Sequence, residues 1–304
     1  MVLYPNCKIN LGLRVIRKRK DGYHDLETVF VPVYGLHDEL EVTKSTDRYT
    51  ERNNRAARLR IQNTDPITFA QEGIAVDCPA EDNLIVKCYR LMAARYPQIG
   101  PVTVRFQKNI PFGAGLGGGS SDAAHMAIAL NRLFDLDLTN EQLAAEVRPL
   151  GADCPFFIYN VPCYAEGIGD RLTPIDLPLQ GKRIVLVKPD EGVSTREAYA
   201  GITRHPEAAG QIQSLLQSFS PSVLHSFIND FEQTVFPLHP TIAHIKKRLL
   251  DAGAFFASMS GSGSTVYGLF EDDAEGRPDT RLRMFEQEFA SMILLNDTFG
   301  EWKA

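Results

Sequence analysis

Pro111-Phe112-Gly113-Ala114-Gly115-Leu116-Gly117-Gly118-Gly119-Ser120-Ser121-Asp122 places five glycines within seven positions. Glycine loses more backbone freedom on folding than any other residue and gives the fold no side chain to pack. Such a run belongs where the main chain must come close to a ligand. A helix pattern follows directly, and the free N–H groups and positive dipole end of a helix N-terminus suit a phosphate chain. Ser120 and Ser121 add hydroxyls able to meet phosphate oxygens or a bound Mg²⁺. A flexible connector is the plain alternative, but it fits poorly between a strand pattern and a helix pattern.

A P-loop requires G-x-x-x-x-G-K-[ST], and no lysine follows these glycines. Gly113, Gly115 and Gly118 satisfy G-x-G-x-x-G, the dinucleotide fingerprint, with Asp135 or Asp137 near its acidic position. Pro111 interrupts the strand-to-loop turn, however, and the second half of the chain lacks the repeating βα units of a doubly wound sheet. Neither H-R-D nor D-F-G occurs, which sets protein kinases aside.

Taken singly, the other polar candidates have plain structural readings. Lys8 and Asn10 lie on the polar face of an alternating strand whose other face is Ile9, Leu11 and Leu13. Asp153 follows a helix-ending Gly151 and reads as a cap or turn residue. Tyr23 and His24 follow the Asp21-Gly22 turn, where aromatics often only pack a hairpin. Gly261-Ser262-Gly263-Ser264 separates two strand patterns as a hairpin would, and Arg17-Lys18-Arg19-Lys20 reads as solvated charge.

These residues must be held by recognisable elements. Strands are expected at 9–15, 27–34, 39–42, 102–106, 163–165, 184–187, 255–259 and 265–270. A helix with Asp82 as N-cap covers 84–92, and another runs from about Asp122 to Phe134. Thr139-Asn140-Glu141-Gln142 is a capping box for a helix ending near Gly151. Ser194-Thr195-Arg196-Glu197 is a second box, opening a helix that carries Tyr199. Further helices are expected at 211–219, 241–252 and 280–294, and 44–71 reads as a long surface excursion or hairpin. Strands and helices mix without regular alternation, which predicts an α+β fold in two parts.

The chain of 304 residues is long enough for two domains, and 44% hydrophobic with 23% charged residues fits a globular protein. A net charge of −6 provides no global basic field, so neither nucleic acid nor a membrane is an expected partner. Any anionic substrate must be met locally. Cys7, Cys78, Cys88, Cys154 and Cys163 contain no C-x-x-C pair, which excludes common zinc frameworks and argues against a secreted disulfide scaffold. The expected location is the cytoplasm, and no apolar run is long enough for a membrane span.

Together the glycine loop, Lys8-Ile9-Asn10-Leu11 and Gly261-Ser262-Gly263-Ser264 resemble the GHMP kinases, the superfamily of galactokinase, homoserine kinase, mevalonate kinase and phosphomevalonate kinase. Asp21-Gly22-Tyr23-His24, Asp82-Asn83-Leu84-Ile85, Gly151-Ala152-Asp153-Cys154-Pro155 and Ala165-Glu166-Gly167-Ile168-Gly169 follow in order. The series is most similar to members whose acceptor carries a cytidine diphosphate. It departs at Asn6-Cys7, where the family has Pro-Ala, and in a longer 44–71 segment and C-terminal tail.

The resemblance implies an ATP- and Mg²⁺-dependent small-molecule kinase of α+β class. Its ATP-binding domain would span 1–160 and its substrate domain 161–304, around a cleft, in a monomer or weak homodimer. It implies Asp153 as catalytic base and Lys8 as its charge partner. Asn83, Leu84 and Lys108 would line the adenine pocket, and Pro111 through Ser121 would hold the phosphates. Tyr23 and Tyr199 would stack on the cytosine from opposite faces, His24 would bond its edge, and Asn10, Asp153 and Gly261 would complete the acceptor site. Another GHMP kinase of homoserine or mevalonate type, a catalytically dead nucleotide-binding regulator and a dinucleotide oxidoreductase are the alternatives.

Overall fold

The computed structural model describes residues 1–45, 60–64, 66–75, 78–202, 209–220, 223–271 and 280–300. Most of the 44–71 excursion and parts of the C-terminal tail therefore lie outside the described residues. The chain opens with strands β1 (Val2–Leu3), β2 (Asn6–Lys18), β3 (His24–His37) and β4 (Glu39–Lys44). The hairpin β5 (Arg60–Thr64) and β6 (Ile67–Gly73), helix α1 (Leu84–Arg95) and strand β7 (Val102–Lys108) follow. Then come α2 (Gly118–Leu133), α3 (Asn140–Val147) and α4 (Cys154–Tyr159). The second half contains β8 (Cys163–Glu166), β9 (Arg171–Pro174), β10 (Arg183–Val187), α5 (Thr195–Ala200), α6 (Gln211–Gln217) and α7 (Glu232–Leu238). It closes with α8 (Pro240–Asp251), β11 (Phe256–Met259), β12 (Val266–Phe270), α9 (Thr280–Glu288) and β13 (Ile293–Thr298).

Two compact units form from discontinuous pieces. The first comprises Met1–Cys7, Leu36–Phe112 and Gly117–Asn160; the second comprises Lys8–Gly35, Gly113–Leu116 and Val161–Ala304. In the first unit a sheet of order β1-β4-β7-β6-β5 packs with α1–α4. Its pairs are antiparallel except β6 on β7, where Ile67 faces Val102 and Gly73 faces Lys108. The second unit holds two four-stranded sheets, β2-β3-β8-β9 and β11-β12-β10-β13. Its core joins Leu13 and Val15 of β2 to Val185 and Val187 of β10, to Ile242, Ile245 and Leu249 of α8, and to Phe285 of α9. Burial of these apolar faces is the main force holding each unit together.

The α+β class expected from the pattern is the one found, with four local corrections. Asp82 is not the cap of α1, because it closes a 3-10 turn over 80–82; Asn83 takes the cap and accepts the N–H of Ile85 at 2.9 Å. Helix α2 starts at Gly118, four residues earlier than its apolar periodicity announces, because Gly117 absorbs a left-handed turn with φ 70°. The last helix ends at Glu288 and not at 294, since 293–298 pair with β10 as an edge strand. Finally, β2 has no solvated face around Lys8 and Asn10, which are 3% and 2% exposed. The capping box at Thr139 forms with both reciprocal bonds.

Candidate active site

Within the second unit, β2 presents Lys8 and Asn10 to the segment Gly113–Leu116. The Lys8 main-chain N–H donates to Leu116 O at 3.0 Å, and its ammonium donates to Asn10 Oδ1 at 2.6 Å and Gly115 O at 3.1 Å. Asn10 donates its side-chain amide to Thr28 Oγ1 at 2.9 Å and receives the Tyr267 hydroxyl on its main-chain carbonyl at 2.8 Å. Buried polar groups persist only with partners, and these two satisfy each other. That is why a polar strand face can be internal.

The turn at 261–264 belongs to the same cluster. Ser260 Oγ accepts the Asn10 N–H at 3.3 Å and donates to Gly115 O at 2.9 Å, while Thr265 N–H donates to Ala114 O at 3.3 Å. Gly115 and Gly261 adopt φ of 76° and 56°, and a Cβ on Gly261 would lie 3.2 Å from Gly115 O. Ala114 and Leu116 are buried and anchor the loop between its glycines, whereas Gly113 is open.

Asn229, which no sequence motif singled out, holds this turn from behind. It is fully buried, donates from Nδ2 to Met259 O at 2.7 Å and Gly261 O at 2.9 Å, and accepts the Phe231 N–H at 3.0 Å. Asn229→Ala removes a partner from three buried backbone groups, of which Met259 O keeps, among the described residues, only the long Ser258 Oγ contact at 3.4 Å, and is expected to cost on the order of 3 kcal/mol in urea unfolding. A loss below about 1 kcal/mol would show that the turn does not depend on it.

The aromatic candidates also meet in this unit. His24, at the start of β3, stacks on Tyr199 of α5 with centroids 4.3 Å apart and planes 19° apart. Phe231 meets Tyr199 edge-on at 4.7 Å. Tyr23 stands 60% exposed at the hairpin turn, so the ring lying on Tyr199 is His24.

In the first unit, Asp153 occupies the cap position of α4 without making the side-chain cap bond, and it is half-buried. The first turns of α4 and α2 adjoin: a Cβ on Gly151 would sit 3.3 Å from Cys154 Sγ and 3.6 Å from Ser120 Oγ. Burial pushes the Cys154 thiol up to about 12, which leaves it inert as a nucleophile at neutral pH. The two serines diverge. Ser120 is half-buried, whereas Ser121 is fully buried with Oγ 3.3 Å from His125 Nδ1; burial lowers that imidazole to about 4.

Leu84 at the start of α1 reaches α2, its Cδ1 3.4 Å from where a Gly119 Cβ would be, beside the capping Asn83. Gly117 caps α2 and has no side chain to accept the first N–H groups of that helix, a start of the kind that suits an anion. Pro111 is half-buried and Phe112 is 74% exposed at the loop entrance. Lys108 is enclosed, 3% exposed, with its ammonium 2.5 Å from Asp38 Oδ2 and 2.9 Å from Asp122 Oδ2. Burial opposes its charge, but the two carboxylates outweigh that and raise the Lys108 pKa. Asp122 is raised well above the carboxylate range by burial and by Asp38, against the pull of Lys108. Among the described residues no group of three His, Cys, Asp or Glu could hold a metal, and no helix is long and apolar enough to cross a membrane.

Comparison with known proteins bears on both halves of the chain. The family model for the GHMP kinases N terminal domain matches residues 83–160, and that for the GHMP kinases C terminal domain matches 202–277. The 4-diphosphocytidyl-2-C-methyl-D-erythritol kinase of Bacteroides thetaiotaomicron is 46% identical over 90% of this chain and 93% of its own. The protein of the same name from Porphyromonas gingivalis is 38% identical over 90% and 93%. A crystal structure of 4-(cytidine 5'-diphospho)-2C-methyl-D-erythritol kinase superposes with a TM-score of 0.71 at 30% identity, covering 96% of each chain. A mevalonate kinase structure superposes at 0.69 with 11% identity, a likeness of fold alone.

Proposed function

This chain belongs to the GHMP kinase family, and from that premise we propose that it transfers the γ-phosphoryl group of ATP to the 2-hydroxyl of 4-diphosphocytidyl-2-C-methyl-D-erythritol. The observation that carries the reading is the match, across nine-tenths of the chain, to relatives bearing that name. The step would belong to isoprenoid precursor synthesis in the cytoplasm, carried out by a monomer or weak homodimer.

Phosphoryl transfer is mostly positioning and charge stabilisation. In the proposed mechanism the N–H groups at Gly118–Ser120 and the preceding loop grip the ATP phosphates, with Asn83, Leu84, Pro111 and Phe112 around the nucleotide; the Lys108 side chain, expected there from the resemblance, is instead enclosed by Asp38 and Asp122. Asp153 takes the proton of the acceptor hydroxyl as its oxygen attacks the γ-phosphorus and the bond to ADP breaks. Lys8 stabilises the negative charge of the transferred group, while Asn10 and Gly261 hold the acceptor. A half-buried hydroxyl such as that of Ser120 fits Mg²⁺, which takes few protein ligands beside phosphate and water. When bound, Mg²⁺ neutralises the nucleotide's phosphate charge. The exposed Tyr23 ring and the His24 ring, which itself lies on Tyr199, would supply the flat surfaces that a cytosine ring stacks on.

Transfer from labelled ATP to a panel of cytidylated methylerythritol, homoserine and mevalonate tests the assignment. Label is expected on the first alone, with CDP competing against it. Transfer to homoserine or mevalonate would move the chain to another GHMP activity, and ATP binding without transfer to any would make it a regulator.

A further inference from the structure

We infer that Lys108, with Asp38 and Asp122, is a positioning device that fixes the phosphate-binding end of α2, its ammonium serving as the bolt of an internal clasp and not as a nucleotide contact. The inference rests on the ATP-binding reading given above.

Asp38 lies fully buried at the corner between β3 and β4. One of its oxygens accepts the main-chain N–H groups of Asn109 and Ile110 at 2.5 and 2.8 Å, the two residues leaving β7. Its other oxygen takes the Lys108 ammonium, which also reaches Asp122 in the second turn of α2. Three neighbours on the strand exit are thus tied to one carboxylate, and the helix is tied to the same strand through the lysine. The glycine loop leaves at Pro111 and returns at Gly118, so the clasp sets both its departure and its return.

The packing is as tight as the bonding. A Cβ on Gly118 would lie 2.8 Å from Ile110 Cγ2 and 3.1 Å from Lys108 Nζ, so strand exit and helix start touch directly. Even the Lys108 carbonyl is occupied, accepting the Ile74 N–H at 2.8 Å. With two carboxylate partners inside the protein and 3% exposure, the lysine side chain is committed to the clasp. Asp122 Oδ1 has no hydrogen-bond partner among the described residues, so the clasp is not built for maximal stability. Buried ion clusters are weak stabilisers, and their best-attested use is to specify register. Here the register is that of a helix start whose N–H groups must point at a phosphate.

The test uses Lys108→Met, Asp122→Asn and their double variant, with binding of a non-hydrolysable ATP analogue and of CDP measured separately by calorimetry. Displacing the helix start by even a fraction of an ångström is expected to weaken the analogue about tenfold in Lys108→Met, with CDP unchanged. Asp122→Asn should weaken it in the same direction, and the double variant should bind no worse than Lys108→Met, because both changes open one clasp. Full additivity, or analogue affinity equal to wild type in a folded Lys108→Met, would overturn the inference. Should Lys108→Met fail to fold, Asp122→Asn decides alone, and Lys108→Arg, which keeps the charge, should recover most of the affinity. A wild-type protein that binds the analogue but not CDP would sink the acceptor assignment and leave this inference standing.

Discussion

Replacing Asp153 by Asn is expected to lower kcat by at least about 100-fold while ATP binding stays intact, because in the proposed mechanism the amide cannot take the acceptor's proton. The substitution reads out chemistry cleanly for a structural reason. Asp153 stands at the cap position of α4 and makes no side-chain cap bond, so no cap hydrogen bond is lost when Asn replaces it. Asn keeps the shape and the packing around the neighbouring Cys154 and Pro155. ADP release at saturating substrates gives kcat, and calorimetry with ATP gives the binding. Turnover near wild type would remove Asp153 from the mechanism.

Gly115→Ala is expected to be the most damaging of the loop substitutions. A Cβ at Gly115 would lie 2.0 Å from Ser260 O and 3.0 Å from Ser260 C, main-chain atoms that cannot swing aside as a side chain can. Its φ of 76° adds the left-handed penalty of about 1–2 kcal/mol for an L residue. The same residue's carbonyl receives both the Lys8 ammonium and the Ser260 hydroxyl, so relief of the clash must break those bonds. The expected loss is about 4 kcal/mol in chemical unfolding, together with a fall in kcat/KM of about 100-fold or more. Gly113→Ala is the internal control: φ is similar at 65°, but nothing lies within 4 Å of its Cβ, and only the conformational penalty of about 1 kcal/mol remains. Equal stabilities for the two variants would refute the close approach of Gly115 to Ser260.

What sequence pattern could announce differed by the range of the interactions involved. The glycine loop and the Thr139 capping box are local, so residue type and spacing expose them directly. Ile293-Leu294-Leu295 continues an apolar pattern that a helix could equally use, and β10, its true partner, lies more than a hundred residues away. The polar face of β2 predicted solvent for Lys8 and Asn10, yet Gly115 and Ser260 cover them. No spacing rule links positions 38, 108 and 122, so the ion cluster is visible only in three dimensions. Asn229 is the same case, an ordinary asparagine in sequence that becomes the support of a glycine turn.

The sheet order β2-β3-β8-β9 also carries a consequence for biosynthesis. Strand β3 ends at His37 and its neighbour β8 begins at Cys163, so about 125 residues must be translated before the pair can zip. At roughly 5–20 residues per second the ribosome takes about 6–25 s over that stretch. During the wait the β2–β3 hairpin offers an unfilled strand edge and the uncovered rings and aliphatics of Val29, Phe30 and Val31. Slowing codons between the two strands are expected to lengthen that exposure.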